Sequence, residues 1–290
     1  MRTRSGRRVG HGLAAELESR VVELRHLDDT VSSAELSPII GKELMEAESL
    51  VRCASFTEAV GKRLFTAVGE LSQLAGWVAG DAGRYRQAQR LYLSGVAAAE
   101  EAGDRMLGAQ LLSSLSYQIA NVGNPADAAL LARTAVQGAP EATPVVRALL
   151  LERLAWASAK AGDAETTWTV LDAVDDSYER RGADEPEWVY WLDRAEIDIM
   201  AGRCLIELGR PREAEPLLSA AIACYPPEHA REVALYRSWL AESYARAGEL
   251  DAAREVLDGA RRYGAEMPSA RSDTRFEAVE RLLSGLDYRH

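Results

Sequence analysis

Residues 201–227 have the sequence AGRCLIELGRPREAEPLLSAAIACYPP, and this stretch decides the fold. Its pattern predicts two short helices joined by a tight turn. Gly209 has no Cβ and can take the left-handed conformation that ends a helix, while Pro211 suits the first turn of the next helix. Small residues and Leu recur at helical spacing on both sides of the turn: Gly202, Leu205, Ala214, Leu218 and Ala221.

The same unit recurs through most of the chain. Its turn glycines are Gly83, Gly123, Gly162, Gly209 and Gly248, which lie 39 to 47 residues apart. The residue seven positions before each glycine is small in every copy: Gly76, Ser116, Ala155, Gly202 and Ala241. The pattern resembles the tetratricopeptide repeat, although that repeat usually spans about 34 residues. Because one helix pair cannot bury its apolar face alone, the sequence predicts an all-α fold, a tetratricopeptide-like right-handed α-solenoid of about five helix pairs.

The repeats divide the chain into three segments. Residues 1–12 are predicted to form a basic flexible tail, either simply solvated or an arm that contacts nucleic acid or an acidic partner. Residues 13–56 are predicted to form N-terminal helices, the second of them starting at Pro38. Residues 57–290 are expected to hold the solenoid, whose first helix begins near Thr57, a favourable N-cap residue. A last helix over residues 272–286 should cap the open end.

Composition narrows the function. The chain has 290 residues, 47% of them hydrophobic, and a net charge of −11. It can therefore bury a sizeable core, and its acidic body should repel a polyanion such as DNA. No apolar run approaches the length that spans a bilayer, and the basic N-terminus lacks the apolar segment of a secretory signal. We therefore expect a cytoplasmic protein without a membrane partner.

The sequence contains no established catalytic or metal-binding motif. The phosphate-binding, dinucleotide-binding, zinc-protease and serine-hydrolase patterns are all missing, and the three cysteines show no CxxC spacing. The four histidines lie far apart in sequence. We therefore expect no enzyme activity, no metal and no cofactor.

The repeat pattern also predicts a binding groove. In tetratricopeptide solenoids the first helix of each pair lines the concave surface, and the positions six and two before the turn glycine point into it. Residues four apart share one helix face. The predicted groove pairs are Trp77 with Asp81, Tyr117 with Asn121, Trp156 with Lys160, Arg203 with Glu207, and Glu242 with Arg246. The last two pairs are expected to form ion pairs.

Two interpretations of these pairs remain open. If they bind a ligand, Trp77, Tyr117 and Trp156 should be at least partly exposed, and Asn121 can grip a peptide backbone through its donor and acceptor. If they are structural, the rings pack between helices and Asn121 helps to cap its helix. A second aromatic group, Trp188, Tyr190 and Trp191, lies in the longest spacer. It either fills the seam between repeats or forms a contact surface for a ligand or partner.

Two blocks of sequence resemble a known family. They are SFTEAVGKRLFTAVGELSQLAGWVAGDAGRYRQAQRLYLSGVAAAEEAGD at residues 55–104 and EPEWVYWLDRAEIDIMAGRCLIELGRPREAEPLL at residues 185–218. Both are similar to the tetratricopeptide-type C-terminal region of actinobacterial Xre-like helix-turn-helix transcriptional regulators. In that family the helix-turn-helix binds DNA and the repeats sense a ligand or hold a partner. The residues before the repeats lack a basic recognition helix, so direct DNA binding is not expected of them.

These observations favour a non-catalytic regulatory binding module. Its groove would hold a peptide, a protein segment or a small signal molecule, and the pattern also allows a homodimer. The alternative is a structural protein–protein interaction scaffold that has no sensing role. A scaffold should bury the groove rings and carry an exposed apolar patch on its convex side or at an end.

Overall fold

The described part of the chain consists of helices and their connections, with one isolated β-bridge between Arg8 and Ser55. A computed structural model describes residues 8–226 and 229–287, so the N-terminal part of the predicted basic tail lies outside the described residues. The helices are α1 His11–Asp28, α2 Ser33–Cys53, α3 Glu58–Asp81, α4 Tyr85–Ala102, α5 Arg105–Val122, α6 Pro125–Gly138, α7 Pro144–Lys160, α8 Ala164–Glu179, α9 Arg194–Glu207, α10 Pro211–Ile222, α11 Ala230–Ala247, α12 Leu250–Glu266 and α13 Ala270–Asp287. A single 3₁₀ turn, Glu187–Val189, lies between α8 and α9.

Helices α3 to α12 form five consecutive antiparallel pairs, each closed by one of the predicted turns. The predicted tetratricopeptide-like right-handed α-solenoid is confirmed, with α1 and α2 in front of the pairs and α13 behind them. The odd-numbered helices form the inner layer and pack on one another, while the even-numbered helices form the outer layer. One apolar cluster continues from α5 to α11. A continuous core is expected, because a single helix pair buries its apolar face only against its neighbours.

Glycine is needed where paired helices touch and where they turn. A Cβ on Gly76 would lie 2.6 Å from the ring of Tyr92, and one on Gly202 would lie 2.8 Å from Leu218 Cγ. Gly83, Gly162, Gly209 and Gly248 have φ between 74° and 89°, the left-handed region that favours glycine. The turn at Gly123 differs, with a φ of −132°. There Asn124 caps α6 and precedes Pro125, which restricts it to an extended conformation.

A capping residue, and not the proline, marks the start of α2. We expected α2 to begin at Pro38, and this is wrong, because it begins at Ser33. Ser32 Oγ accepts a hydrogen bond from the free Glu35 amide in the first turn and donates one to the Glu35 carboxylate at 2.8 Å, which marks Ser32 as the cap of this helix. Helix α3 begins as predicted, because Thr57 Oγ1 accepts a hydrogen bond from the Val60 amide.

The two ends of the superhelix contact each other. Arg231 on α11 donates to the Asp28 carboxylate of α1 at 3.3 Å and to its carbonyl oxygen at 2.7 Å. Ser269 and Arg271 donate to Asp81 at the end of α3, at 2.7 and 2.8 Å. We call Asp28, Asp81, Arg231, Ser269 and Arg271 the end-to-end cluster. Helix α13 therefore packs on α11 and α12 as a cap and also connects the C-terminal end to the first repeat.

Membrane-spanning helices are not among these elements. In the described residues every helix is too short or too polar to cross a bilayer.

Candidate ligand-binding site

Closure of the superhelix leaves a cavity of about 350 Å³ at its centre, which we call the main cavity. Its walls come from the inner-layer helices α1, α3, α5, α7, α9, α11 and α13, and from the spacer before α9. A small cavity of about 100 Å³ lies beside it and shares Trp77, Ser114, Tyr117, Arg203, Leu235 and Arg271 with it. Pockets that hold small molecules span roughly 300–1,000 Å³. The main cavity is therefore large enough for a small organic ligand.

Aromatic rings and guanidinium groups alternate in the wall between the two cavities. The rings of Trp77 and Tyr117 stack at a centroid distance of 6.0 Å. Arg153 lies 4.1 Å from the centre of the Tyr117 ring, and Arg271 lies 4.6 Å from the centre of the Trp77 ring. Arg203 lies 4.3 Å from the Trp156 ring and 5.4 Å from the Tyr117 ring. Such cation–π contacts stabilise a buried guanidinium without neutralising its charge.

Arg203 is buried without a carboxylate partner. It is 3% exposed, and its Nη1 donates to the Tyr117 hydroxyl at 3.1 Å. Its Nε has no hydrogen-bond acceptor, and in the described part of the chain it forms no ion pair. A buried charge that lacks a counter-ion is costly, because desolvation is not offset by a nearby opposite charge.

Arg153 has only a weak counter-ion. Among the described residues its guanidinium forms no hydrogen bond, and its ion pair with the neighbouring Glu152 has a nitrogen–oxygen distance of 3.6 Å. Glu152 is 1% exposed, and its Oε2 has no hydrogen-bond donor. Burial raises the pKa of Glu152 to about 7, although Arg153 and Arg203 act to lower it. Glu152 is therefore partly neutral near pH 7, and it does not line either cavity.

The positive charge of the surrounding arginines also changes the pKa of Tyr117. Burial by itself raises the pKa of its phenol, but Arg203, Arg271 and Arg153 together lower that pKa to about 8. The phenol accepts the hydrogen bond from Arg203, and no described group accepts a hydrogen bond from it. Its O–H group is thus available to a molecule in the cavity.

A second polar cluster in the cavity wall consists of one carboxylate and two tyrosine hydroxyl groups. The Glu196 carboxylate accepts hydrogen bonds from the hydroxyl groups of Tyr225 and Tyr236. Burial raises the pKa of Glu196, while the two tyrosine hydroxyls act to lower it. Near this group the wall reaches the surface at the exposed residues Tyr190, Asp193, Cys224 and Pro226. This side forms the entrance to the main cavity.

The predicted groove rings differ in exposure. Trp77 is half-buried, and both it and the buried Tyr117 line the two cavities. Trp156 fits the structural interpretation, because this ring is fully buried and lines neither cavity. The edge-to-face ring of Trp239, at a centroid distance of 5.4 Å, and the guanidinium of Arg203 cover it. Close stacking of the later repeats leaves no groove at that position.

Several predicted polar contacts are made within the protein. Asp81 is buried and belongs to the end-to-end cluster. Asn121 is exposed and donates to the Tyr117 carbonyl at 2.7 Å, as a residue at a helix end does, while it also lines the small cavity.

The two ion pairs expected along helices have different outcomes. The pair Glu242–Arg246 is confirmed at 2.7 Å, and Arg275 of α13 adds a second cation on Glu242. The expected pair Arg203–Glu207 is wrong, because Glu207 accepts a hydrogen bond from Lys160 at 3.0 Å. Arg203 instead turns into the aromatic wall, where Tyr117, Trp156 and Trp239 surround its guanidinium.

The aromatic spacer connects the cavity with α1. Trp188 is buried in the apolar cluster, which fits the seam-filling interpretation. The Tyr190 hydroxyl donates to Asp29 at 2.6 Å, and its ring lies 4.3 Å from that of His26. Trp191 lines the main cavity below Arg153. The spacer thus belongs partly to the core and partly to the cavity wall.

Sequence reasoning missed Arg153 and Arg271 as wall residues. Arg153 lies three positions before Trp156 and so shares its helix face, a signal that the sequence contains. Arg271 reaches the wall only because the ends of the superhelix meet. No local pattern marks it. The described residues also contain no group of three or more His, Cys, Asp or Glu side chains arranged to hold a metal ion.

Comparison with known proteins supports the fold alone. No family model and no curated protein matches the chain. A solved structure of a Rap protein complexed with competence and sporulation factor is similar over 91% of this chain and 80% of that one, with 14% identity and a TM-score of 0.59. BtubC from P. vanneervenii is similar over 81% and 92%, with 17% identity and a TM-score of 0.53. At such identities the likeness shows a shared helical-repeat architecture.

Proposed function

We propose that this chain is a non-catalytic regulatory binding module that holds a peptide, a protein segment or a small signal molecule in its main cavity. One observation carries the proposal. Arg203 is buried and forms no ion pair with the described residues, and it lies in the wall of a cavity of about 350 Å³ that every inner-layer helix lines. A buried charged group without an ion-pair partner destabilises the protein, and a bound ligand of opposite charge would offset that cost.

The similarity to the Rap protein supports this proposal. That protein was solved in complex with competence and sporulation factor, and the present chain shares its architecture over most of its length. The size of the main cavity favours a small molecule or the end of a peptide as the part that enters it. The proposed link to transcriptional regulation rests on the sequence resemblance to Xre-like regulators, and the proposed cytoplasmic location rests on the sequence pattern of the chain.

A ligand in this position can act on the closure of the superhelix. The main cavity contacts α1 at one end of the chain and α13 at the other, through Arg25 and Arg271. A ligand that binds the closed form more tightly than an open form shifts the equilibrium towards closure. We propose that this change in curvature transmits the signal to a partner protein.

Tryptophan fluorescence tests whether the main cavity binds a ligand. The purified chain is titrated with a defined pool of synthetic tetrapeptides that have free termini, in a Trp168→Phe background that removes the exposed outer ring. We expect a saturable change in emission, because Trp77 and Trp191 line the cavity. Ser113→Phe, which fills the cavity, should abolish the change, and Leu130→Phe on the exposed outer surface should retain it. Equal responses from both variants would place binding elsewhere.

A scaffold should bury the groove rings and expose an apolar patch, and the first of these two features is partly present. Tyr117 and Trp156 are buried, as a scaffold predicts. Its second requirement is an exposed apolar patch, and the described outer-layer helices α4, α6 and α8 each expose one large apolar side chain, Leu93, Leu130 and Trp168. Single exposed apolar residues are ordinary on a protein surface. The unpartnered Arg203 in the cavity wall therefore favours ligand binding over the scaffold.

A further inference from the structure

The arginines in the wall of the main cavity fall into two groups. Arg25, Arg231 and Arg271 each have a carboxylate partner: Glu70 at 3.5 Å, Asp28 at 3.3 Å and Asp81 at 2.8 Å, respectively. Arg153 and Arg203 both lie against Tyr117, and among the described residues neither has such a partner, apart from the distant contact of Arg153 with Glu152. The wall around Tyr117 therefore carries an excess of positive charge.

The excess is local, because the chain as a whole is acidic, with a net charge of −11. Arg153 and Arg203 are 6% and 3% exposed, so bulk water and salt screen them little. Stacking on Tyr117 and Trp156 lowers the cost of burial without supplying a negative charge. Apart from Glu152, which is partly neutral near pH 7 and does not line the cavity, the described residues place no carboxylate against these two guanidinium groups.

We infer that the ligand of the main cavity carries an oxyanion, a carboxylate or a phosphate, which Arg153 and Arg203 bind and to which the Tyr117 hydroxyl donates. This inference rests on the proposed function, that the cavity holds a ligand. Guanidinium groups suit the task because their planar N–H donors match the oxygens of carboxylate and phosphate. The side chains of Arg153 and Arg203 both line the main cavity, and their guanidinium groups supply these donors.

The other residues of the cavity wall indicate what kind of group is attached to the oxyanion. Trp77, Trp191, Leu149 and Ile199 line it near the arginines, so the group attached to the oxyanion meets rings and aliphatic side chains. With about 350 Å³ available, the ligand is a small organic acid or the acidic end of a short peptide. A whole folded domain does not fit.

Binding of the oxyanion should weaken as pH rises. The groups that face Tyr117 are Trp77 from α3, Arg153 from α7, Arg203 from α9 and Arg271 from α13. Above about pH 8 the Tyr117 phenol loses its proton and becomes an internal anion between the same arginines. Glu152 gains its charge around pH 7 and adds a second competitor. Both changes neutralise the arginines, so the affinity for an external oxyanion is higher at pH 6 than at pH 9.

Three small probes test the inference by calorimetry on the full chain: N-acetylphenylalanine, its amide, and phenyl phosphate. We expect at least one of the two anions to bind about ten-fold or more tightly than the neutral amide. The tighter of the two anions identifies carboxylate or phosphate as the natural group. Arg203→Met should lower this affinity about ten-fold or more, whereas Arg90→Met, which removes the same charge from the exposed face of α4, should change it less than about two-fold.

Two further variants keep the test informative if Arg203→Met does not fold. Arg153→Met removes the second arginine, and Tyr117→Phe keeps the ring stack while it removes the hydroxyl. We expect the first to weaken binding of the anion and the second to reduce its dependence on pH between 7 and 9. Unchanged anion affinity in all three variants overturns the inference.

The outcomes separate this inference from the proposed function. Equal affinity for the amide and the anions, or no binding of any probe to the wild-type chain, overturns the oxyanion site. A response to tetrapeptides with amidated C-termini and no acidic side chains, which carry no oxyanion, would still support a binding cavity if Ser113→Phe removes it. Failure of both tests rejects the two proposals together.

Discussion

Among single residues, Glu152 best illustrates how the interior of this protein sets protonation. It lies on the inner helix α7, almost fully buried, with one carboxylate oxygen unpartnered. Desolvation raises its pKa from 4.5 to about 7 against the opposing effect of Arg153 and Arg203. The folded chain thus binds this proton more tightly than the unfolded chain does. The stability that it contributes is complete below about pH 4.5 and is lost as pH rises through 7.

Glu152→Gln should remove this dependence. The amide keeps the shape of the side chain and carries no charge, so the variant should match the wild type near pH 5 and exceed its free energy of unfolding by roughly 2–3 kcal/mol at pH 8. Urea denaturation at the two pH values measures the difference. Glu16→Gln, on the exposed face of α1, serves as the control and should have little effect at either pH. Parallel pH profiles for wild type and Glu152→Gln would contradict the prediction.

Within helix pairs, stability depends on close approach at a small residue. Gly76 of α3 meets Tyr92 of α4, and Gly202 of α9 meets Leu218 of α10, each at a distance that leaves no room for a Cβ. These partners lie sixteen positions apart in both pairs, as the repeat alignment predicts. The turn glycines then set the angle at which the second helix returns.

Gly76→Ala should therefore destabilise the first repeat. The added methyl group would lie 2.6 Å from the rigid Tyr92 ring, and overpacking of this kind costs about 1–3 kcal/mol. Gly41→Ala is the matched control, because Gly41 is exposed in α2 and a methyl group added there would meet no atom within 4 Å. It should raise the free energy of unfolding by about 0.5–1 kcal/mol. Chemical denaturation compares the two, and a change of the same sign in both variants would count against this account of the packing.

For the molecule as a whole, the end-to-end cluster converts an open superhelix into a closed one. Asp81 alone accepts hydrogen bonds from Ser33, Ser269 and Arg271, which come from both ends of the chain. Burial acts to raise its pKa, but Arg271 and Arg231 lower it to about 2. Asp81 therefore stays charged at every pH above about 4, and the stability that it contributes is lost only as pH falls towards 2.

Asp81→Asn should open the superhelix. It leaves Arg231 and Arg271 buried without their shared carboxylate, which costs about 3–5 kcal/mol. Small-angle X-ray scattering should show a larger radius of gyration, and urea denaturation a lower midpoint. Glu46→Gln, which breaks only the exposed Lys42–Glu46 pair, is the control and should leave both unchanged. An Asp81→Asn chain with wild-type scattering would show that closure does not depend on this cluster.

The candidate site was only partly predictable from the sequence. Trp77, Tyr117 and Arg203 follow from the position six residues before the turn glycine, and all three line the main cavity. The same rule places Trp156 in the groove, whereas stacking against Trp239 buries it. The exposure of a repeated position depends on how tightly neighbouring repeats pack, and the repeat pattern does not contain this information.

The sequence by itself determined the helices, their pairing and their stacking, because turn glycines, caps and apolar spacing act between residues a few positions apart. Only the tertiary structure decided that the stack closes and encloses a cavity. Closure brings Asp28 to Arg231 and Asp81 to Arg271, residues 203 and 190 positions apart. It results from the small rotations between successive repeats added over the whole chain. No local pattern specifies that sum, and the charge of the cavity wall depends on it.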